Sequence, residues 1–243
     1  MPTKEEEGED PHEWKMAAIF DGAAIISCAA RYGRRRFGRD GHQFSRCGPQ
    51  AASDAAWRPA RHAQDDWYDK IPGQHRFVFD STTPAGMALA LRFANNYFTA
   101  NQNAYGLKDS DLAVVIVARH KSTSFGYNDA IWAKYGKQLS EQAEFTDPKS
   151  KEPPKINVYA APGDGSDESG AMDALIKKGV HFAICQMASR HIAGRIAQAT
   201  GGETDTILKE IGANLVPNGH FVPAGIVAVN RAQEKGYSFA LGI

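Results

Sequence analysis

The alternation of apolar and polar positions becomes regular from residue 75 onward. Residues 75–80 (HRFVFD) form a short β-rich run, closed by Ser81-Thr82-Thr83-Pro84. Pro84 suits the first position of a helix and Thr83 its N-cap. Met87, Leu91, Ala94 and Phe98 follow at helical spacing, and Ala90, Phe93 and Tyr97 widen the same face. Residues 111–119 (DLAVVIVAR) hold a continuous apolar run between two charged ends, as in a strand buried on both faces. A helix is expected over 127–137, then a charged, proline-bearing loop over 138–155. The rhythm then repeats: strand 156–160 (INVYA), helix 168–178, strand 180–185 (VHFAIC) and helix 188–199. A short helix at 204–212, a strand at 220–222, a helix at 224–235 ended by Gly236, and a strand at 237–241 complete the pattern. Strands alternating with helices predict α/β architecture with a mainly parallel sheet covered on both faces.

No period persists upstream. Residues 4–13 carry six acids against one base, residues 31–46 carry six arginines, and an apolar stretch broken by Asp21 lies between them. Residues 1–56 therefore read as a poorly ordered leader, 57–74 as a linker and 75–243 as the domain. Arg34-Arg35-Arg36-Phe37 and the small residues at 51–56 resemble the two ends of a twin-arginine export signal, but the segment between them is polar. Two readings follow: a degenerate export signal, which places the protein in the periplasm, or a solvated basic tail, which leaves it in the cytoplasm.

Composition narrows the function. Lys+Arg and Asp+Glu tie at 28 each, so the basic footprint of a nucleic-acid binder is missing. No stretch reaches the roughly 18 apolar residues of a membrane span. Three cysteines do not make a disulfide scaffold. Cys28 and Cys47 fall in the leader. No cysteine or histidine pair has zinc-ligand spacing in a strand context, so no metal is expected.

In open α/β sheets ligands bind at the carboxyl ends of the strands. That rule selects Asp80, Ser81 and Thr82 after the first strand, Arg119 and His120 after the second, and Cys185 and Gln186 after VHFAIC. Cys185 stands where a strand ends and a helix begins, with Arg190 and His191 just inside the helix. A helix N-terminus and nearby cations favour a thiolate, the nucleophilic form; a buried small hydrophobe is the alternative. His120 is either an anion or proton handler or a surface histidine, and His181, among apolar neighbours, reads as structural. The loop at 162–170 (PGDGSDESG) lacks a third glycine at the spacing of a dinucleotide loop and carries acids that repel phosphate. DSTTP at 80–84 resembles the hydroxyl-rich flavin loop of flavodoxin-like proteins, but an N-cap explains it equally. No cofactor is called for.

The strand GVHFAIC, followed by Cys185-x-x-Ala188-x-Arg190-x-x-x-Gly194, resembles the DsrE/DsrF family of sulfur-relay proteins. So does the ending HFVPAGIVAVNRAQEKGYSFAL, from His220 to Leu241. The resemblance spans about residues 75–243. It implies a three-layer α/β/α domain with a mainly parallel sheet of five strands or slightly more, assembled as a homotrimer or homohexamer. It also implies a sulfur carrier or sulfurtransferase-like protein with a persulfide on Cys185, supported by Arg190, His120, Arg119 and Thr82. Its sulfur donor and acceptor would be other proteins. The longer segment at 121–154 departs from the compact pattern of that family. The alternative is a non-catalytic oligomeric module of the same fold whose rim (Thr82, His120, Cys185) holds a small ligand.

Overall fold

The computed structural model describes residues 59–161 and 171–242, all within the unit Ala55–Ile243. The leader with Cys28 and Cys47, and the loop at 162–170, lie outside the described residues. The first strand, β1 (His75–Ser81), leads into α2 (Pro84–Tyr105); the short α1 (Trp67–Lys70) precedes it. Thr83 caps α2 as expected, its Oγ1 accepting the Gly86 N–H at 2.9 Å. Strand β2 (Leu112–Ala118) follows, buried at every position, then a 3-10 segment (His120–Gly126) and α3 (Asp129–Ala143). Next come α4 (Met172–Lys177), β3 (His181–Cys185), α5 (Gln186–Thr200), α6 (Thr204–Ala213), β4 (Gly219–Val222), α7 (Gly225–Glu234) and β5 (Ser238–Gly242).

All pairings are parallel, in the order β4-β3-β2-β1-β5. The chain walks from β1 to β4, then jumps back to pair β5 with β1. Side chains on one face of the strands (Phe79, Val114, Ile116, Phe182, Ile184) pack with α2 to α6. Those on the other (Val78, Ala113, Val115, Val117, Ala183, Val222) pack with α1 and α7. A crossover of constant hand that reverses its direction must change face, so α7 alone among the long helices lies on the second face. The result is the expected three-layer α/β/α sandwich on five strands. No described helix is long and apolar enough to cross a membrane.

Two expectations are corrected. Residues 156–160 form no strand. Their backbone is used elsewhere: Met172 N–H donates to Tyr159 O and Asp173 N–H to Ala160 O, which serves the open N-terminus of α4. The Asn157 side-chain amide donates to the carbonyls of Phe125 and Tyr127 at 2.7 and 2.9 Å, pinning the segment to the loop before α3. Residues 59–74 are also more than a linker. Tyr68 and Ile71 are buried in the second core, and the Tyr68 hydroxyl donates to Ala228 O at 3.0 Å. Ion pairs Asp69–Lys235 and Asp65–Arg231 fasten the same segment to α7.

Candidate functional site

Strand parity lines up the carboxyl edge. Asp80 at the end of β1, Arg119 just past β2 and Cys185 at the end of β3 all fall on the sheet face that carries α7. Beyond Cys185, β3 and β4 part company. Cys185 is paired with Val222, yet the chain leaves Cys185 into α5 on one face and leaves Val222 towards α7 on the other. Adjacent strands whose connections diverge to opposite faces make the switch point where α/β sheets bind ligands. Cys185 stands at that point, a free cysteine that exposes 7% of its surface.

The sulfur caps α5: Sγ accepts the Ala188 N–H at 3.4 Å. The residue's carbonyl accepts the Ser189 hydroxyl at 2.9 Å, and Ser189 Oγ in turn accepts from the Tyr127 hydroxyl at 2.8 Å. Burial pushes the Tyr127 hydroxyl well above the ordinary tyrosine value, the Ser189 bond opposing and the Cys185 charge adding. Tyr127 is therefore a fixed neutral donor behind the cysteine.

Arg119 neighbours Cys185 across the β2–β3 register, on the same face of the sheet. Its Nε reaches both Asp80 oxygens (2.9 and 3.1 Å) and its Nη2 reaches Oδ2 at 2.8 Å. The Asp80 bonds hold the guanidinium still more firmly protonated, with Cys185 acting in the same direction. Asp80 is buried, and the Arg119 side chain is 28% exposed. The backbone of Arg119 is fixed as well: its N–H donates to Ser81 O at 3.2 Å, and Ser122 Oγ stands 3.0 Å from it. Helix α7 closes over the stem, because a Cβ on Gly225 would lie 2.5 Å from Arg119 Cβ.

The other expected residues lie around this centre in different ways. His120 is exposed and holds φ 57°, a left-handed conformation uncommon for a residue with a side chain. The adjoining Lys121 N–H donates to Thr82 O at 3.0 Å, so the loops bearing His120 and Thr82 are stitched together on the rim. Arg190 is directed elsewhere: its side chain, 61% exposed, pairs with Asp205 of α6 at 2.9 Å. Asp80 as an anchor, Tyr127, Ser189 and Gly225 are additions that sequence reasoning did not assign. Among the described residues no group of three or more His, Cys, Asp or Glu side chains is placed to hold a metal ion.

No family model matches the chain, and no curated protein matches it. A solved structure of a protein of unknown function from Methanobacterium thermoautotrophicum is similar to it. The two are 14% identical, with a TM-score of 0.35, over 69% of this chain and 99% of that one.

Proposed function

We propose that this protein is a sulfur carrier of the sulfurtransferase type that holds a persulfide on Cys185. The observation that supports the reading is the position of Cys185 at the divergence of β3 and β4, with its sulfur facing a helix N-terminus and Arg119 on the neighbouring strand of the same face. A sulfur atom attached there meets two groups suited to an anionic –S–S⁻ group, a helix-terminal backbone N–H and a cation on the neighbouring strand. The DsrE/DsrF resemblance of residues 75–243 points to the same chemistry. It also favours a homotrimer or homohexamer, which exposed Met187, Ile226, Val227, Phe239 and Leu241 would help to build.

Native mass spectrometry after incubation with a sulfur donor tests the reading. Wild type gains about 32 Da, one sulfur atom, at Cys185. Cys185→Ser gains nothing and keeps its fold and assembly. One observation favours the second reading, a non-catalytic ligand-binding module of the same fold: Cys185 is nearly buried. That reading predicts no adduct, and no alkylation of Cys185 until the protein unfolds.

A further inference from the structure

We propose that Arg119, positioned by Asp80, is the anion-binding arm of the Cys185 site, and that the sulfur donor is a small oxyanion carrying a sulfane sulfur. The inference rests on the persulfide reading of Cys185 and names the class of molecule that loads it.

Asp80 holds the guanidinium of Arg119 side-on, through Nε and Nη2. Nη1 has no hydrogen-bond partner among the described residues, and Nη2 uses one of its two N–H groups. The end-on edge of the fork, Nη1 with Nη2, is thus left open, and this is an edge that takes two oxygens of an oxyanion at once. A buried ion pair is no better for stability than apolar side chains of the same volume. What Asp80 adds is a fixed direction for the fork. Gly225 fixes the stem in the same sense, since any side chain there would strike Arg119 Cβ and Cδ.

The charge balance then selects the ligand. Asp80 and Arg119 together are neutral, so the site does not gather anions by net charge. Its attraction is directional: the open fork and the first turns of α5 and α7, neither of which contains an acidic residue. A ligand that uses the fork with one end and reaches the neighbouring sulfur with the other carries an oxyanion and a transferable sulfur on one short frame. Thiosulfate is the simplest such molecule. The Cys185 thiolate attacks its outer sulfur, a new S–S bond forms, the original S–S bond breaks, and sulfite departs with the electron pair. Cys185–S⁻ and S–SO₃²⁻ become Cys185–S–S⁻ and SO₃²⁻, with charge and atoms conserved and no outside oxidant or reductant.

The experiment follows two probes on the reduced full-length chain: the rate of sulfur loading from thiosulfate, and the rate of Cys185 alkylation by neutral iodoacetamide. Arg119→Gln is expected to raise the half-saturating thiosulfate concentration by about tenfold or more and to slow alkylation by a clearly smaller factor, the part that reflects the lost cation near the thiolate. Arg119→Lys does not restore loading, because a point charge does not replace the fork. Asp80→Asn also raises the half-saturating concentration and leaves the maximal rate close to wild type. Equal losses with both probes overturn the inference, since they mark a structural effect. Unchanged loading in Arg119→Gln overturns it too, while the persulfide reading stands. A further measurement needs only wild type: sulfate, against chloride at equal ionic strength, slows alkylation of Cys185. If sulfate shields but thiosulfate does not load, the anion arm stands and the donor class is overturned; failure to load from polysulfide as well overturns the persulfide reading. If sulfate gives no shielding, the anion arm is overturned whatever the variants do.

Discussion

Gly225 shows how narrow the tolerance is around the thiol. It begins α7 without a positive φ, so its need is for space and not for backbone freedom. A methyl group there meets Arg119 Cβ at 2.5 Å and Cδ at 2.9 Å. Either α7 lifts or Arg119 swings out of its bond with buried Asp80. Gly225→Ala is therefore expected to lower stability by about 1–3 kcal/mol, read from a shift in the urea midpoint. A midpoint within experimental error of wild type would mean that α7 does not close on Arg119 as described. Sequence reasoning placed Arg119 and Cys185 on the rim because continuous apolar runs betray where strands end. It did not reach the Asp80–Arg119 bond, since nothing in a single sequence says that the first and second strands are neighbours. Arg190 lies away from the thiol for a helical reason. Five positions beyond Cys185, at about 100° per residue, the side chain has turned to another side of α5 and meets Asp205 on α6 instead.

At the scale of elements, the segment at 156–160 is the instructive failure. Its alternation of Ile156, Val158 and Ala160 imitates a strand, but a pattern of five residues says nothing about the hydrogen bonds available to it. Here those bonds are taken by α4 and by Asn157. The Asn157 side chain is buried and serves three backbone groups: it donates to Phe125 O and Tyr127 O, and its Oδ1 accepts the Tyr159 N–H at 3.1 Å. Its own N–H donates to Asp129 Oδ1 at 2.8 Å. Asn157→Ala strands two buried carbonyls and frees the loop. A cost of about 2–3 kcal/mol is expected, with the increase in hydrogen exchange concentrated over residues 125–131 and 156–161. Exchange that rises evenly across the sheet would show that Asn157 is not the local pin. The elements that were legible, β2 and α2 above all, are those whose local signals agree: a fully apolar seven-residue run, and a Thr-Pro start with a sustained helical stripe.

The molecule as a whole is held closed on its second face by a contact that no local pattern reveals. His181 on β3 and His220 on β4 lie 39 positions apart and meet with Nδ1 and Nε2 at 2.9 Å. Trp67, from the segment ahead of the sheet, stacks on His220 with ring centroids 4.1 Å apart and planes 11° from parallel. The rings of the two histidines are tilted by only 12°, so the nitrogens share one proton between them, and a second proton breaks the bond. Burial pulls both imidazoles down, His220 to about 4 with the neighbouring His181 adding to it. Nearby, Asp65 pairs with Arg231 and Asp69 with Lys235, and among the described residues no carboxylate pairs with either imidazole. Both groups are therefore lowered from an unfolded value near 6.5, and the neutral pair belongs to the folded state. Above about 6.5 their contribution to stability is complete; as pH falls towards 4 the unfolded chain binds protons that the folded one refuses, and the contribution is lost. Because both rings are half exposed, the loss is on the order of 1 kcal/mol over that window, after allowance for solvent screening. Denaturant midpoints measured between pH 7 and pH 5 should fall in wild type, with Trp67 emission reporting the loosened stack. A His181→Gln/His220→Gln variant, less stable at pH 7, should show a flatter profile over the same interval. The two proteins differ at these two residues alone, so the difference between the two slopes isolates the pair. Parallel profiles would show that the histidines do not set the acid response, and that the aromatic stack and the ion pairs to α7 hold the second face without them.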